Sequence, residues 1–347
     1  MLTSKNKVII YAQDSFAVES AKTGVGFIRY GLCETVAIVD RTLNRKFASD
    51  VLTGLPKIPI FESIESAKKN RPDADVLLLG IAPAGGKLPR EWISDIKSAI
   101  NLKLNIVNGL HDFLENISDV KELALKQKTF IWDVRKYKGD LIVANTKLLD
   151  VPMQIVLTVG TDAAVGKMTV SLEFSKAARK NNFQAEFVAT GQTGMMISGD
   201  GIPIDAIIGD FMAGAIEQQL LKISKKKCNF AFVEGQGSIL HPAWSGVTLA
   251  LYHGSLPHKL ILCHRAGNKY LRNTKIEIES LNQFIKIYES VSLPLRKAKV
   301  VGIGLNTQGL TSEQAINAIK KAEDETGLPA DDVVRNGGEK LFASCQR

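Results

Sequence analysis

The segment VLTVGTDAAVGKMTVSLEF, residues 156–174, constrains the fold of this chain more than any other part of the sequence. An apolar run leads into a loop bounded by Gly160 and Gly166, and Lys167 then begins a helical pattern. In a strand–loop–helix of this kind, the backbone N–H groups of the loop point at one anion, and the helix dipole and the lysine add positive potential there. The segment therefore predicts a phosphate-binding loop at the carboxyl end of a parallel β-strand.

The loop differs from the common phosphate loop in two places. Gly160 and Gly166 enclose five residues, where the common loop has about four. Met168 follows the lysine at the position where a serine or threonine hydroxyl normally binds Mg²⁺, and a thioether is a poor ligand for this hard cation. Thr169, one position later, is expected to contact an outer phosphate instead. We therefore predict that the loop anchors a diphosphate, and we predict no metal site.

Short apolar runs alternate with helical patterns along the 347 residues. Runs rich in valine, isoleucine and leucine that alternate with helices are typical of parallel sheets covered by helices. The predicted strands are residues 8–11, 35–39, 58–61, 76–81, 106–108 and 129–132 in the first half, and 153–159, 185–190, 229–233, 259–264 and 299–305 in the second. The predicted helices include 89–102, 110–127, 167–181, 211–226, 279–290 and 312–326.

A polar connection at residues 136–150 separates the two halves. Each half contains its own alternation of strands and helices, and the chain is long enough for two domains. We therefore predict an α/β protein in which an N-terminal Rossmann-like parallel-sheet domain, residues 1–150, precedes a P-loop NTPase-like α/β domain, residues 151–347.

Charge and cysteine content exclude several classes of protein. The 44 basic and 36 acidic residues give a formal charge of +8, which suits anionic ligands, but the basic residues are scattered, so no nucleic-acid partner is predicted. The four cysteines lie far apart and indicate reduced thiols.

No apolar run reaches the roughly 18 residues of a membrane span, and the first residues lack a signal-peptide pattern. We expect a cytoplasmic protein with no membrane partner, and homo-oligomerisation stays open.

A second motif, FVEGQGS at residues 232–238, follows the third predicted strand of the second half. Its carboxylate, Glu234, comes at the end of a strand beside the phosphate loop, where it can bind Mg²⁺ or a metal-bound water. The alternative is a carboxylate that caps the following turn. Both roles place Glu234 at the same edge of the sheet as the loop.

Both motifs resemble those of known enzymes. GTDAAVGK is similar to the G-T-D-T-x-V-G-K loop of dethiobiotin synthetases and of the related cobyrinate amidating enzymes, and VEGQG is similar to their V-E-G-A-G segment. Over nearly its full length, the chain also resembles a two-domain bacterial family, once known only as a domain of unknown function, that includes the D-glutamate N-acetyltransferases. The segments that carry this resemblance are LLLGIAPAGGKLP, ATGQTGMMISGDGIPIDAIIGDF and VEGQGSILHPAW. The resemblance implies acetyl-CoA as the cofactor.

The loop and the resemblance together give a set of cofactor-binding residues. Those predicted to bind phosphates are Gly160, Thr161, Asp162, Gly166, Lys167 and Thr169. Asn306 ends the run VVGIGLN, and the related synthetases use an asparagine in that region to bind adenine, which an amide contacts as both donor and acceptor. The alternative for Asn306 is a turn residue at the end of a strand.

The residues predicted to be catalytic are Glu234, His241 and Arg265. Four of the five histidines fall between residues 241 and 264, without the spacing of a familiar zinc site. His241 follows the VEGQGS turn most closely, and an imidazole titrates near the pH at which an amine must lose a proton for acetylation. Arg265 follows the fourth strand of the second half, where a guanidinium can bind a substrate carboxylate with two hydrogen bonds. The alternatives are a packed loop histidine and a surface arginine.

These observations favour N-acetyl transfer from acetyl-CoA to D-glutamate or a similar small acidic amino acid. An ATP- and Mg²⁺-dependent ligase resembling dethiobiotin synthetase is the first alternative, because GTDAAVGK and VEGQG support both reactions. A nucleotide-sensing regulator without turnover is the second. The sequence leaves open the substrate, its stereochemistry and the ligand of the N-terminal domain.

Overall fold

The computed structural model describes residues 2–17, 21–81, 83–292 and 295–346. Ala82, within the segment LLLGIAPAGGKLP, lies outside these ranges. Two compact units make up the chain. The first consists of Met1–Tyr137 with Gln192–Pro203, and the second of Lys138–Gly191 with Ile204–Arg347. No helix in the described ranges is both long and apolar enough to cross a membrane.

Strands and helices alternate through both units. The strands are β1 (Lys7–Tyr11), β2 (Glu34–Val39), β3 (Ile60–Phe61), β4 (Val76–Leu79), β5 (Asn105–Asn108), β6 (Ile131–Asp133), β7 (Gln154–Gly160), β8 (Ala185–Val188), β9 (Phe230–Val233), β10 (Lys259–Arg265), β11 (Lys299–Asn306) and β12 (Ala330–Asp331). The α-helices are α1 (Lys22–Tyr30), α2 (Ala48–Val51), α3 (Ile64–Asn70), α4 (Trp92–Asn101), α5 (Ser118–Gln127), α6 (Lys167–Lys180), α7 (Gln192–Ser198), α8 (Gly209–Ser224), α9 (Ser245–Ser255), α10 (Leu281–Ser290), α11 (Ser312–Thr326), α12 (Val333–Asn336) and α13 (Glu339–Cys345). Short 3₁₀ helices cover Arg41–Leu43, Ala84–Gly86, Leu114–Asn116, Lys147–Asp150 and Ile204–Ala206.

The first unit is built on a parallel sheet with the strand order β3-β2-β1-β4-β5-β6. All neighbouring strands described in this sheet run parallel. The aliphatic side chains of β4 are buried along its whole length, and those of β1 along nearly all of it. Burial on both faces is what a parallel sheet covered by helices requires. The predicted α/β class is confirmed for this half.

The second unit is built on a parallel sheet with the strand order β12-β11-β10-β7-β9-β8. The chain first extends this sheet on one side of β7, as β8 and β9, and then on the other side, as β10 to β12. In open α/β sheets, ligands bind at the carboxyl ends of the strands where the strand order reverses. That point lies at Gly160, the last residue of β7, which pairs with Cys263 of β10. The predicted α/β class is confirmed here as well.

An aromatic cluster holds α6 against the sheet of the second unit. Phe174 of α6 meets Phe232 of β9 edge to face, with ring centroids 5.8 Å apart. Phe342 of α13 lies 6.0 Å from Phe232, and all three rings are buried. Such aromatic pairs add about 0.5–1.5 kcal/mol to the burial of their area. The start of α6 is thereby fixed relative to the end of β9.

The division between the units lies at Tyr137, upstream of the boundary expected at residue 150. The polar segment between them packs on α8, because the carboxylate of the buried Glu217 accepts two backbone hydrogen bonds from it. The donors are the N–H groups of Asn145 and Lys147, each at 2.9 Å. The segment that reads as a connection in the sequence is therefore part of the second unit.

Helix α7 follows β8 in the sequence but belongs to the first unit. The hydroxyl of its Thr193 lies 2.9 Å from the hydroxyl of Thr23 in α1. The N–H of Leu32 donates to the carbonyl of Ile197 at 3.3 Å. These contacts join residues far apart in the sequence, so a local pattern could not predict them.

Helices α8 and α9 approach closely at Gly254. A Cβ at this position would overlap the carbonyl oxygen of Ala213 in α8, and it would lie 2.5 Å from Cγ2 of Ile216. Gly246, near the start of α9, has no such neighbour within 4 Å. The two glycines of one helix therefore differ in whether the packing requires them.

Gly254→Ala should lower the free energy of unfolding by about 1–3 kcal/mol, the usual cost of overpacking. Gly246→Ala is the matched control, and it should raise the same quantity by about 0.5 kcal/mol because alanine favours the helix. Urea unfolding followed by circular dichroism measures both variants. Equal changes in the two variants would contradict the close contact of α8 with α9.

Candidate functional site

The predicted phosphate loop forms at the carboxyl end of β7. Gly166 has a left-handed backbone with φ of +105° and caps α6, whose first residue is Lys167. A side chain at position 166 would be strained there, so the turn requires glycine. Lys167 is buried, and its ammonium donates to the carbonyl of Asp162 at 2.7 Å. The loop thus encloses a lysine at a helix N-terminus, the arrangement that binds phosphate groups.

The lysine of the loop lacks full compensation for its charge. Burial lowers the pKa of Lys167 to about 8, although Cys263, Asp162 and Glu234 act in the opposite direction. Loss of hydration therefore outweighs the nearby negative charge. An anionic ligand at the loop would offset this cost.

Neighbouring elements hold the loop in shape. Thr161 is bound to β10 twice, because its N–H donates to the Cys263 carbonyl at 3.0 Å and its hydroxyl lies 2.9 Å from Nδ1 of His264. Tyr288 of α10 donates its hydroxyl to the Gly160 carbonyl at 2.8 Å. Burial raises the pKa of Tyr288 to about 12, so the phenol keeps the proton that it donates. Hydrogen bonds from β10 and α10 therefore fix the shape of the loop, and a rigid loop loses little conformational entropy when it binds a ligand.

A buried hydroxyl network connects the loop to the end of β9. The hydroxyl of Thr158 in β7 lies 3.1 Å from that of Ser171 in α6 and accepts from the N–H of Gly235 at 2.9 Å. A Cβ at Gly235 would overlap the Thr158 carbonyl oxygen and lie 3.1 Å from Cδ of Lys167. Glycine at this position lets β9 end close to β7, and this places the preceding Glu234 near the lysine.

Glu234 is a buried carboxyl group at this edge of the sheet. Its Oε2 accepts from the N–H groups of Thr190 at 3.0 Å and Gly191 at 3.2 Å. Burial raises the pKa of Glu234 to about 7, although these hydrogen bonds and Lys167 lower it. A carboxyl group with this pKa exchanges its proton near neutral pH, as a general acid or base must.

His241 is buried, and both of its ring nitrogens contact the backbone. Nδ1 accepts from the N–H of Ala243 at 3.1 Å, so Nε2 carries the proton and donates to the carbonyl of Arg272 at 2.9 Å. The ring stacks on Trp244 with centroids 4.0 Å apart. A general base needs a free lone pair, and the lone pair of His241 is engaged in this arrangement. His241 stays a predicted catalytic residue, and a role as a base would require it to give up the hydrogen bond from Ala243.

The carboxylate of Asp162 is also used to hold the backbone. Oδ1 accepts from the N–H of Ala163 at 2.6 Å, and Oδ2 accepts from the N–H of Arg272 at 2.6 Å. Only 1% of Asp162 is exposed. The phosphate contact predicted for Asp162 stays a prediction, and it suits the backbone of this residue better than its side chain, because a carboxylate repels an anion.

Arg265 and Asn306 pair in register at the carboxyl ends of β10 and β11. Oδ1 of Asn306 accepts from the N–H of Gln308 at 3.0 Å, and the Asn306 Cβ lies 3.8 Å from the place of a Cβ at Gly166. Asn306 is therefore both a turn residue and a neighbour of the phosphate loop. Arg265 is half-buried at the same edge, and Thr169 is half-buried in the first turn of α6.

Several residues of the site have no role in the sequence prediction. They are Thr190, Gly191, His264, Arg272 and Tyr288. Tyr288 contacts Gly160 across 128 positions of sequence, so no local pattern indicates it. His264 lies in a predicted strand that ends at the same edge as the loop, and this position is the one signal that pointed to it.

Comparison with known proteins matches both halves of the chain to one family. A P-loop domain of unknown function, DUF1611, matches residues 142–342, and a Rossmann-like domain of unknown function, DUF1611_N, matches residues 41–137. A crystal structure of a DUF1611 family protein from Anabaena variabilis superposes with a TM-score of 0.93 at 39% identity, covering 98% of this chain and 99% of that chain.

Two similar proteins are named D-glutamate N-acetyltransferase. The one from Pseudoalteromonas sp is 35% identical over 301 residues, which cover 85% of this chain and 86% of the relative. The one from Tritonibacter scottomollicae is 36% identical over 274 residues, which cover 77% of this chain and 80% of the relative.

Lys167→Met should stabilise the ligand-free protein at neutral pH. Folding lowers the pKa of this lysine from 10.5 to about 8. The difference of about 2.5 pH units is worth about 3 kcal/mol, at about 1.4 kcal/mol per unit. Because the folded pKa is depressed, the stability linked to this group is fully present above the unfolded pKa and is lost as the pH falls through about 8. Methionine avoids this loss but gives up a hydrogen bond worth about 1 kcal/mol.

Urea unfolding at about pH 7 and about pH 9.5 measures the free energy of unfolding of the variant and the wild type. The variant should be more stable by about 2 kcal/mol at the lower pH, and the difference should be smaller at the higher pH. Lys176→Met is the control, because this lysine lies on α6 with 75% of its side chain exposed. It should change stability by less than about 0.5 kcal/mol at either pH. If the difference in free energy of unfolding between Lys167→Met and the wild type does not depend on pH, Lys167 is not a buried, charged group.

Proposed function

The chain belongs to the DUF1611 family of two-domain proteins, and we propose that it transfers the acetyl group of acetyl-CoA to the amino group of D-glutamate or a similar small acidic amino acid. The observation that carries the proposal is a phosphate loop with Lys167 at the start of α6 and Met168 where a metal-binding hydroxyl is expected. Coenzyme A contains a diphosphate that acyl transfer does not cleave, so a loop built to anchor a diphosphate suits it. The names of the relatives from Pseudoalteromonas sp and Tritonibacter scottomollicae support the same reaction.

The diphosphate of acetyl-CoA is proposed to bind to the N–H groups of the loop and to the Lys167 ammonium. Asn306 is proposed to contact adenine through Nδ2, because its Oδ1 accepts from Gln308. When bound, acetyl-CoA would supply an activated thioester carbonyl to the amine; the C–S bond would break as the amide forms, and the CoA thiol would leave with the proton that the amine gives up. Because Glu234 lies beside the diphosphate-binding lysine, the pantetheine arm would have to fold back so that the thioester reaches the end of β9.

The proton acceptor in this proposal is Glu234. An amine attacks a carbonyl only in its neutral form, so a group of the protein must accept a proton near neutral pH. The carboxyl of Glu234, with its pKa of about 7, meets this requirement. His241 could do so only by giving up the hydrogen bond from Ala243. Glu234 therefore takes the role that the sequence suggested for His241.

The carboxylates of the amino-acid substrate need a cationic partner. Arg265 is half-buried at the carboxyl end of β10, beside Asn306. A guanidinium can bind a carboxylate with two parallel hydrogen bonds, which fixes both position and orientation. Arg265 is therefore the proposed substrate-binding residue.

An ATP- and Mg²⁺-dependent ligase is the second candidate. Glu234 favours it, because a carboxylate beside a phosphate loop can bind Mg²⁺ or a metal-bound water. Met168 weighs against it, because phosphoryl transfer relies on the metal to offset the charge of the phosphates. A regulator that senses a nucleotide without turnover differs from both in forming no product.

Binding and turnover together test the proposed reaction. Thermal shifts are compared for CoA, acetyl-CoA and ATP, each with EDTA or with Mg²⁺, because a ligand at about 100 times its dissociation constant adds about 2.7 kcal/mol of stability. We expect stabilisation by the CoA species in EDTA, together with N-acetyl-D-glutamate formed from D-glutamate in EDTA. If ATP with Mg²⁺ is the only combination that stabilises the protein, and no acetylated product forms, the ligase is supported instead.

Glu234→Gln should lower kcat by about 10²–10⁴-fold, the usual worth of general-base catalysis. Glutamine can still accept hydrogen bonds from Thr190 and Gly191, but it cannot take a proton at neutral pH. The wild-type kcat should rise with pH through about 7, as the carboxyl group ionises, and then level off. The kcat of Glu234→Gln should be low and independent of pH over this range.

His241→Ala is the comparison for this experiment. This variant should keep the rise of kcat near pH 7, because Glu234, the group proposed to titrate there, is still present. If the rise persists in Glu234→Gln and disappears in His241→Ala, the proton acceptor is His241 and the assignment to Glu234 is wrong.

A further inference from the structure

Gln236 is the polar residue in the turn after Glu234, at the position where the similar V-E-G-A-G segment has an alanine. Its side chain is half-buried. Its backbone carbonyl accepts from the hydroxyl of Thr248 in α9 at 2.7 Å, so this helix holds the turn in place. An amide brings two N–H donors and one oxygen acceptor to a position where alanine has none.

Thr190 fixes which way the amide of Gln236 points. A threonine hydroxyl has one proton, and that of Thr190 is donated to the carbonyl of Glu234 at 2.6 Å. The hydroxyl can therefore only accept from Gln236, and it accepts from Nε2 at 3.1 Å. With Nε2 against Thr190, the amide oxygen of Gln236 faces away from this hydroxyl and is able to accept a hydrogen bond.

Gly191 lets the amide of Gln236 and the carboxyl group of Glu234 approach the same place. A Cβ at position 191 would lie 2.7 Å from Nε2 of Gln236 and 3.5 Å from Oε1 of Glu234. Oε2 of Glu234 accepts from the N–H groups of Thr190 and Gly191, so Oε1 is the carboxyl oxygen left to exchange a proton. Two acceptor oxygens, one from an amide and one from a carboxyl group, are thereby contributed by the same turn.

We propose that Oε1 of Gln236 and Oε1 of Glu234 together bind the amino group of the substrate. The inference rests on the proposed function, because it assumes an amino-acid substrate whose amine gives a proton to Glu234. The ammonium group of such a substrate has three N–H donors, and acceptor oxygens are the partners that it needs.

The two oxygens have different tasks in the reaction. One proton passes from the ammonium nitrogen to Oε1 of Glu234, and the electron pair of that N–H bond becomes the lone pair that attacks the thioester carbonyl. Gln236 accepts a hydrogen bond from a second N–H and keeps the nitrogen in place while the proton leaves. A neutral amide takes up no proton at neutral pH, so Gln236 does not compete with Glu234 as the base.

The test is calorimetric titration of the wild type, Gln236→Ala and Gln236→Met, each saturated with CoA so that no turnover occurs. D-glutamate is compared with glutarate, which has the same two carboxylates and no amine. Both variants should weaken D-glutamate by about 10- to 100-fold, the worth of a hydrogen bond to a charged group, and change glutarate by less than about twofold. Methionine fills the space of glutamine without an amide, so equal effects in the two variants assign the loss to the amide.

Gln283→Ala is the matched control, because it removes the same amide from an exposed position of α10. It should leave the dissociation constants of both ligands within about twofold of the wild type. The affinity for CoA itself should stay the same in all variants, because the phosphate loop is unchanged. Circular dichroism with a melting curve verifies folding.

Three results would overturn the inference. If the wild type acetylates D-glutamate and Gln236→Ala binds D-glutamate equally well, Gln236 has no such role, while the proposed function stands. If the wild type neither binds nor acetylates D-glutamate, the proposed function fails for this substrate, and the inference fails with it. Equal weakening of D-glutamate and glutarate in the Gln236 variants would also overturn it, because that pattern indicates a general disturbance of the site.

Discussion

Burial of charge at the end of β7 is the constraint on which the second unit depends. Lys167, Asp162 and Glu234 are nearly inaccessible, with 6%, 1% and 5% exposure. Charged groups removed from water need partners. The strand order brings the carboxyl ends of β7, β9 and β10 to one place, so the partners come from separate segments of the chain. Backbone groups supply most of them: a carbonyl for the lysine, and N–H groups for the two carboxylates.

The same burial sets the chemistry of the site. It lowers the pKa of Lys167 to about 8 and raises that of Glu234 to about 7, so both groups titrate close to neutral pH. An anionic ligand would further favour the charged form of the lysine, whereas the carboxyl group can exchange a proton near neutral pH. One environment thus yields a buried cation and a carboxyl group that titrates near neutral pH, side by side. Tyr288 and Gly235 keep this arrangement in shape, the first by a hydrogen bond and the second by the close approach that it allows.

The sequence was sufficient to predict the parts of the fold that depend on local pattern. The period of the apolar residues located α11 at residues 312–326, and the glycines and lysine of GTDAAVGK located the loop. Strand β12 has two residues, too few for a pattern, and α7 packs against α1 in the first unit through contacts that only the folded chain creates. Proximity along the chain likewise suggested His241 as a base. In the folded chain, the Ala243 N–H engages Nδ1 of His241, and Nε2 contacts the carbonyl of Arg272, 31 residues away.

Binding of acetyl-CoA without a metal is the central proposal for this site. Calorimetric titration of acetyl-CoA in EDTA, with the wild type and with Lys167→Ala, measures it. A one-to-one complex with the wild type and a loss of affinity of about 100-fold or more in the variant are expected, because the lysine is the buried cation of the loop. Equal affinity in the two proteins, or wild-type binding that appears only when Mg²⁺ is added, would contradict a metal-free diphosphate site at the end of β7.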